Sequence, residues 1–151
     1  MPRVLVVANQ TAESDELLNA LRERGGQDDD CDFTVLIPAT PHGLAWAANM
    51  AADKGQDEAA EHRDALVERL RGSGIRVNDA IIGDPDPLAA IQDACNLGEY
   101  DEVIVSTLPH HVSKWLHLDL PRKAAHATGL PVQSVEASKP DTAAPQPGTG
   151  V

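Results

Sequence analysis

The sequence predicts an α/β domain: an open, doubly wound parallel sheet of five strands in the order 3-2-1-4-5, with helices on both faces. Short apolar runs alternate along the 151 residues with longer segments of helical periodicity. The runs are continuously apolar, which is typical of parallel strands covered on both faces by crossover helices. Right-handed crossovers that place strands 1 and 4 side by side at the centre give the predicted order.

The first strand and helix are marked by clear boundaries. Arg3–Ala8 reads RVLVVA and is predicted to be the central strand. Ser14 is the predicted N-cap of a helix that buries Leu17 and Leu21. Gly25 and the glycine after it are expected to end this helix.

The middle of the chain supplies two more strands. Asp32–Ile37 is a second buried strand, and a short loop that contains Ala39 and Thr40 follows it. Leu44–Arg71 is predicted to be mostly helical, with an irregularity near Gly55. The third strand, Ile75–Ile82, carries polar residues and is expected near the edge of the sheet.

The fourth unit begins with a helix that Asp86 caps and Gly98 ends. Glu102–Ser106 is the fourth strand. The polar stretch Thr107–Leu118 after it is longer than most connections, and this length makes it a candidate for function.

A last helix is predicted from its N-cap Asp119 to Gly129, followed by the fifth strand, Leu130–Val135. Prolines and glycines dominate the remaining residues. We therefore expect one α/β domain over residues 1–136 and a disordered tail over residues 137–151.

The charge balance excludes some partners. The chain has 12 Lys and Arg against 24 Asp and Glu, a formal net charge of −12, so neither nucleic acid nor a membrane surface is expected as a partner. Residues 103–135 are the exception, since they hold three basic residues against one acidic residue, together with four histidines. This segment is a neutral-to-basic island in an acidic protein.

The cysteines and the apolar runs bear on location. Cys31 and Cys95 lie far apart without a metal-binding or redox spacing, so we expect two reduced cysteines in the core. No run approaches the ~20 apolar residues of a membrane span, and the apolar run near the N-terminus is too short for a signal peptide. A cytoplasmic protein is expected.

Ligands of doubly wound sheets bind at the carboxyl ends of the strands, where the strand order reverses. Here that switch point lies between strands 1 and 4, with the loop after strand 2 closing one side. The predicted ligand-binding residues are Ala8, Asn9, Gln10, Thr11, Ala39, Thr40, Ser106, Thr107, His110, Ser113 and Asp119.

The order VLVVANQT, GDPDPLAAIQDA, YDEVIVST and GLPVQSV resembles the universal stress protein family over about residues 3–135. The resemblance implies the fold described above, a role in the stress response and a homodimer formed through the last strand, Pro131–Val135. Many members of that family bind ATP or AMP at the switch point. They do so with an acidic residue after strand 1 and the motif G-x2-G-x9-G-[ST] after strand 4.

This sequence departs from that motif at each glycine. Ser106 and Pro109 stand at the first two glycine positions, Leu118 stands at the third and Asp119 at the Ser/Thr position, while the acidic position holds Asn9. Proline has no N–H to offer a phosphate. The Asp119 carboxylate is expected to occupy the start of the last helix and to oppose a triphosphate there. We therefore expect no ATP binding in the family manner, and AMP or another small anion remains a possible ligand.

The basic island offers a compensating anion site through His110, Lys114 and His117, with Trp115 stacked on a base. The alternative is that Trp115 packs on the core while the histidines face solvent. A metal site would need three of His42, His110, His111 and His117 to converge, and their spacing matches no established zinc pattern.

The hydroxyls and histidines of the island lack the G-x-S-x-G pattern of hydrolases. The prediction is a binding or regulatory module without catalytic or metal-ligating residues. The alternative is a nucleotide-binding or nucleotide-hydrolysing enzyme that uses the same cleft.

Overall fold

The computed structural model describes residues 2–9, 11–27, 31–39, 48–109 and 113–137, without the side chains of Gln27 and of residues 48–57. Five strands and five helices lie within these ranges, and they alternate except that two helices follow β4. They are β1 (Arg3–Val7), α1 (Asp15–Gln27), β2 (Asp32–Pro38), α2 (Ala48–Gly72), β3 (Val77–Gly83), α3 (Pro87–Leu97), β4 (Glu102–Thr107), α4 (Lys114–His117), α5 (Leu120–Thr128) and β5 (Val132–Glu136).

The five strands form one parallel sheet in the order β3-β2-β1-β4-β5, which confirms the predicted fold class. β1 lies at the centre, where Val7 pairs with Leu36 of β2 on one side and with Val105 of β4 on the other. Because all strands run the same way, the carboxyl ends of β1 and β4 lie side by side at one edge of the sheet.

The core consists of two clusters on opposite faces of the sheet, as the alternation of side chains along a strand requires. Val4 and Val6 belong to the cluster that α1 and α2 cover, and Leu5 and Val7 belong to the one beneath α3 and α5. The helices therefore cover both faces, as predicted.

Two predicted helix caps are confirmed. The Ser14 hydroxyl accepts a hydrogen bond of 3.1 Å from the Leu17 N–H, and the Asp86 carboxylate accepts one of 3.1 Å from the Leu88 N–H. Each cap satisfies an N–H in the first turn, which has no partner within the helix.

Two predicted interruptions are wrong. α1 continues past Gly25 to Gln27, and the Phe33 ring lies near Gly25. α2 is continuous through Gly55, since an interior glycine costs a helix only about 1 kcal/mol and does not by itself break it.

The connection after β4 holds a helix that the sequence did not indicate. Ser113 is the N-cap of α4, and its hydroxyl accepts a 3.1 Å hydrogen bond from the Leu116 N–H. Four residues are too few to show helical periodicity in a sequence.

β3 forms one edge of the sheet, as expected from its polar residues, and two features alter that edge. The register with β2 shifts between Phe33 and Thr34, which leaves Asn78 as an extra residue in β3. The Gly83 carbonyl accepts a hydrogen bond from the Ala39 N–H, so the backbone polar groups of Gly83 point toward β2. Successive residues of a strand point these groups to opposite sides, and the N–H of Ala80, three residues before Gly83, therefore points away from β2. That N–H donates to the Asp79 carboxylate at 2.8 Å.

Cys31 is buried in the cluster that α1 and α2 cover, and Cys95 is half-buried against the cluster beneath α3 and α5. The two cysteines therefore lie on opposite faces of the sheet and form no disulfide with each other, in accord with the expected reduced pair. Of the described helices, none is both long and apolar enough for a membrane span.

Candidate functional site

The switch point brings together residues that are far apart in the sequence. Asn9 follows β1 and Thr107 ends β4, each two residues beyond the paired Val7 and Val105. β1 and β4 are neighbouring strands, whose backbones lie about 4.8 Å apart up to the pair of Val7 and Val105. Thr107 continues the alternation of Val103 and Val105 and therefore faces the side that α3 and α5 cover, whereas Asn9 lies beyond the end of β1.

The other face of the switch point holds a hydrogen bond between two hydroxyls. Thr11 and Ser106 share a bond of 2.6 Å between their side-chain oxygens, and both residues are buried. The bond joins the turn after β1 to the end of β4. The structure thus brings these two predicted site residues together.

The Asn9 side chain is fixed by a single bond. Its amide nitrogen donates to the Pro38 carbonyl at the end of β2, at 3.0 Å. Because a carbonyl can only accept, this bond defines which end of the amide is the nitrogen. Pro38 is a site residue that sequence reasoning missed, since a backbone carbonyl has no sequence signal.

Two oxygens at this edge have no hydrogen-bond partner. They are the Asn9 side-chain oxygen and the Thr107 hydroxyl oxygen, and both atoms are buried. Thr107 as a whole is 2% exposed. An unsatisfied buried polar group costs about 1–3 kcal/mol and is uncommon in native proteins, so two of them at the mouth of a switch point indicate a place for a polar ligand.

Asp119 occupies the predicted N-cap position of α5 but does not cap the helix. Its backbone is in the left-handed region, with φ 59° and ψ 40°, and its side chain accepts no cap hydrogen bond. The expectation that this carboxylate satisfies the helix end is therefore wrong, since a capping side chain requires the extended backbone of an ordinary N-cap. The carboxylate is 54% exposed and lies 3.7 Å from the Arg122 guanidinium.

Two cations of the basic island, Arg122 and Lys123, line a groove that does not include the buried hydroxyls. Arg122, Lys123 and His126 line an open groove of about 790 Å³ with Asp119 and with Leu88 of α3. None of the buried polar side chains at the ends of β1 and β4 lines this groove.

The remaining members of the island have separate roles. Trp115 packs against the core cluster beneath α3 and α5, which agrees with the packing alternative rather than with stacking on a base. Lys114 and His117 are exposed on α4. Ser113 is buried, and its oxygen is engaged as the α4 cap.

Ala8 and Ala39 are buried, and their N–H groups are already used: Ala8 donates to the Leu36 carbonyl and Ala39 to the Gly83 carbonyl. Gln10, Thr40 and His110 lie outside the described residues, as do two further histidines of the metal hypothesis, His42 and His111. Within the described ranges, no three His, Cys, Asp or Glu side chains are grouped for a metal ion.

The sequence matches no protein-family model and no curated protein sequence. The fold, in contrast, is similar to solved structures. The universal stress protein of Archaeoglobus fulgidus in complex with dAMP is 16% identical with a TM-score of 0.60, over 90% of this chain and 98% of that one. UspA of Lactobacillus plantarum is 18% identical with a TM-score of 0.63, over 89% and 97% of the two chains.

A universal stress protein family member from Arabidopsis thaliana, solved with AMP bound, is 12% identical with a TM-score of 0.62. The match covers 91% of this chain and 93% of that one. At these identities the comparisons establish that this chain has the universal stress protein fold.

Proposed function

We propose that this chain, with the universal stress protein fold, is a cytoplasmic binding or regulatory module that takes AMP or another small anion at the β1/β4 switch point. The observation that carries the proposal is the pair of buried, unpartnered oxygens of Asn9 and Thr107 at that edge, which a hydroxyl or amino group of a nucleotide can satisfy. The nucleotides named in the similar structures, AMP and dAMP, support the ligand class.

The site favours binding over catalysis. Activation of a hydroxyl as a nucleophile requires a hydrogen bond to a general base. The hydroxyls of Thr11 and Ser106 are instead bonded to each other. The hydroxyl of Ser113 is engaged in capping α4.

Two features oppose ATP binding in the family manner. Pro109 has no N–H to donate to a phosphate, and the Asp119 carboxylate places a negative charge near the start of α5. A mononucleotide brings less charge to that region than a triphosphate does.

Calorimetric titration and thermal shift with AMP, cyclic AMP and ATP test the proposal. We expect binding of a mononucleotide and no magnesium-dependent stabilisation by ATP. Thr107→Val should weaken mononucleotide binding, whereas Thr34→Val, a matched change at a buried threonine within β2, should not. A clear stabilisation by ATP with magnesium would contradict the proposal.

We also propose a homodimer formed through β5, the second edge of the sheet, because an uncovered edge strand presents unpaired backbone groups. The Pro131 carbonyl accepts a hydrogen bond from the Val103 N–H, and the Ala137 N–H donates to the Thr107 carbonyl, so both residues face β4. Backbone groups alternate in direction along a strand, and the Ser134 N–H therefore points away from β4. Ser134→Pro should therefore remove an edge donor and give a folded monomer by light scattering. A monomeric unsubstituted chain would exclude the dimer.

A further inference from the structure

A cavity of about 300 Å³ lies at the edge of the sheet opposite the switch point, where β2 and β3 begin. Phe33, near the start of β2, and Ser73, in the turn after α2, form part of its wall. Arg22 of α1 and Arg76, directly before β3, also line it. We infer that this amino-edge cavity binds a small phosphate-type oxyanion, independently of any ligand at the switch point.

Two guanidinium groups line the amino-edge cavity, and its described lining contains no carboxylate. Arg22 is exposed and forms no ion pair within the described part of the chain. Arg76 is 57% exposed and contacts the Asp32 carboxylate through one nitrogen, Nη1, at 3.5 Å. Because a guanidinium carries five N–H donors, most of those of Arg76 remain for a ligand. A chain with a net charge of −12 thus presents two cations at one cavity.

The backbone around the amino-edge cavity does not need these cations. The N–H groups of Ser73, Gly74 and Ile75 donate to carbonyls of the last turn of α2, at 2.9 to 3.1 Å. Gly74 has φ 79°, the left-handed conformation that closes a helix in this way. Arginines near a helix end often satisfy its last carbonyls, and here that role is already filled.

The position of Arg76 is fixed by its backbone. The Phe33 N–H donates to the Arg76 carbonyl at 3.2 Å, which holds this residue against β2. Phe33 is 1% exposed and gives the cavity a rigid apolar wall. A ligand therefore meets a prepared backbone, and only the two arginine side chains have to be ordered.

The chemistry of the amino-edge cavity favours phosphate over other anions. A guanidinium donates two parallel N–H groups to the oxygens of a phosphate or a carboxylate. Arg22 and Arg76 come from different elements, and a tetrahedral phosphate offers three oxygens in different directions, whereas a carboxylate offers two in one plane. Ser73 adds a hydroxyl donor. Ligand pockets span roughly 300–1,000 Å³, so this cavity suits phosphate, pyrophosphate or a small phosphate ester.

Calorimetric titration of the full chain with inorganic phosphate and with pyrophosphate tests the inference. We expect both to bind, pyrophosphate more tightly, with affinities that fall as salt is added. Arg22→Gln should weaken pyrophosphate binding by about five- to tenfold. Arg22→Lys keeps the charge without the planar fork and should give an intermediate affinity. The matched control is Arg63→Gln on α2, where the arginine pairs with Asp64, and it should change nothing.

Arg22→Gln is the decisive variant, since Arg22 has no described partner to leave behind. Arg76→Gln would leave the buried Asp32 carboxylate without its ion pair and is expected to lower stability. The position of the bound anion is checked by NMR. Pyrophosphate should shift the backbone amide signals of Ser73 and Gly74.

Three outcomes would overturn the inference. The first is an equal affinity in Arg22→Gln and in the unsubstituted chain. The second is a larger loss in Arg122→Gln, or amide shifts confined to α5 or to the switch point, which would place the anion there. The third is no binding of pyrophosphate at all, as expected if Asp28, Asp29 and Asp30, which lie outside the described residues, neutralise the arginines. The proposed function is tested separately, by AMP and Thr107→Val.

Discussion

The hydroxyl oxygens of Thr11 and Ser106 lie 2.6 Å apart and are buried, although 95 positions separate the two residues in the chain. This bond fixes the turn after β1 to the end of β4 and therefore sets the relative position of the two loops at the switch point. Loss of this bond is expected to lower the free energy of unfolding and to change the geometry of the site.

A double-mutant cycle tests this bond. Thr11→Val and Ser106→Ala should each lower the free energy of unfolding by about 1–3 kcal/mol, because each leaves the other buried hydroxyl without its partner. The double variant should cost less than the sum of the two, with a coupling of about 1 kcal/mol by urea denaturation. Additive effects would show that the two hydroxyls do not stabilise each other.

Gly83 lies where β3 meets α3 closely. A Cβ at this position would come within 2.8 Å of the Ala90 Cβ and 2.9 Å of the Leu36 Cδ1. Gly83→Ala should therefore lower the free energy of unfolding by about 1–3 kcal/mol through overpacking.

Gly26 in α1 provides the matched control for Gly83, since nothing lies within 4 Å of its Cβ position. Gly26→Ala should leave stability unchanged or raise it by up to about 1 kcal/mol, because alanine favours the helix. Equal effects of the two changes in urea denaturation would contradict the packing described for Gly83.

Asp119→Asn isolates the charge near the start of α5. Asparagine tolerates the left-handed backbone at φ 59°, whereas serine would be more strained there. If the carboxylate opposes phosphates, ATP affinity should rise about two- to fivefold, the equivalent of roughly 0.3–1 kcal/mol. Asp93→Asn, at an exposed position on α3, is the control. Unchanged ATP affinity in Asp119→Asn would show that the missing glycines, and not this charge, exclude ATP.

Burial raises the pKa of the Cys95 thiol above its ordinary value of 9.0. Above that pH the unfolded chain loses this proton while the folded chain keeps it, so the folded state binds more protons and stability falls as pH rises. Denaturation midpoints at about pH 7 and about pH 10 should therefore differ less in Cys95→Ala than in the unsubstituted chain. An identical difference in the two proteins would mean that Cys95 makes no contribution to the pH dependence.

The elements that local chemistry specifies were predictable from the sequence. The continuous apolar run of β1 predicted the central strand, and Ser14 and Asp86 predicted two helix starts that the structure confirms. Features that depend on tertiary contacts were not predictable. Asp119 fails to cap α5 because its backbone is left-handed, and the short helix α4 is stabilised in part by packing of Trp115 on the core.

The candidate site was likewise predictable only in part. The predicted strand order was enough to place the segment after β1, which holds Asn9 and Thr11, next to the end of β4. The sequence did not indicate that Thr11 and Ser106 satisfy each other while Asn9 and Thr107 keep free oxygens, because that depends on which face each side chain reaches.

The carboxylate of Asp79, bonded to the outward N–H of Ala80, has a consequence for assembly. In β3 the outward N–H of Ala80 is already bonded, and the register of the strand is broken at Asn78. Both features make β3 a poor template for pairing with another strand. If two chains join through β5, each β3 faces outward and offers no matching surface for a third. Such a complex is closed at two subunits, and open-ended growth into fibres is opposed at both ends.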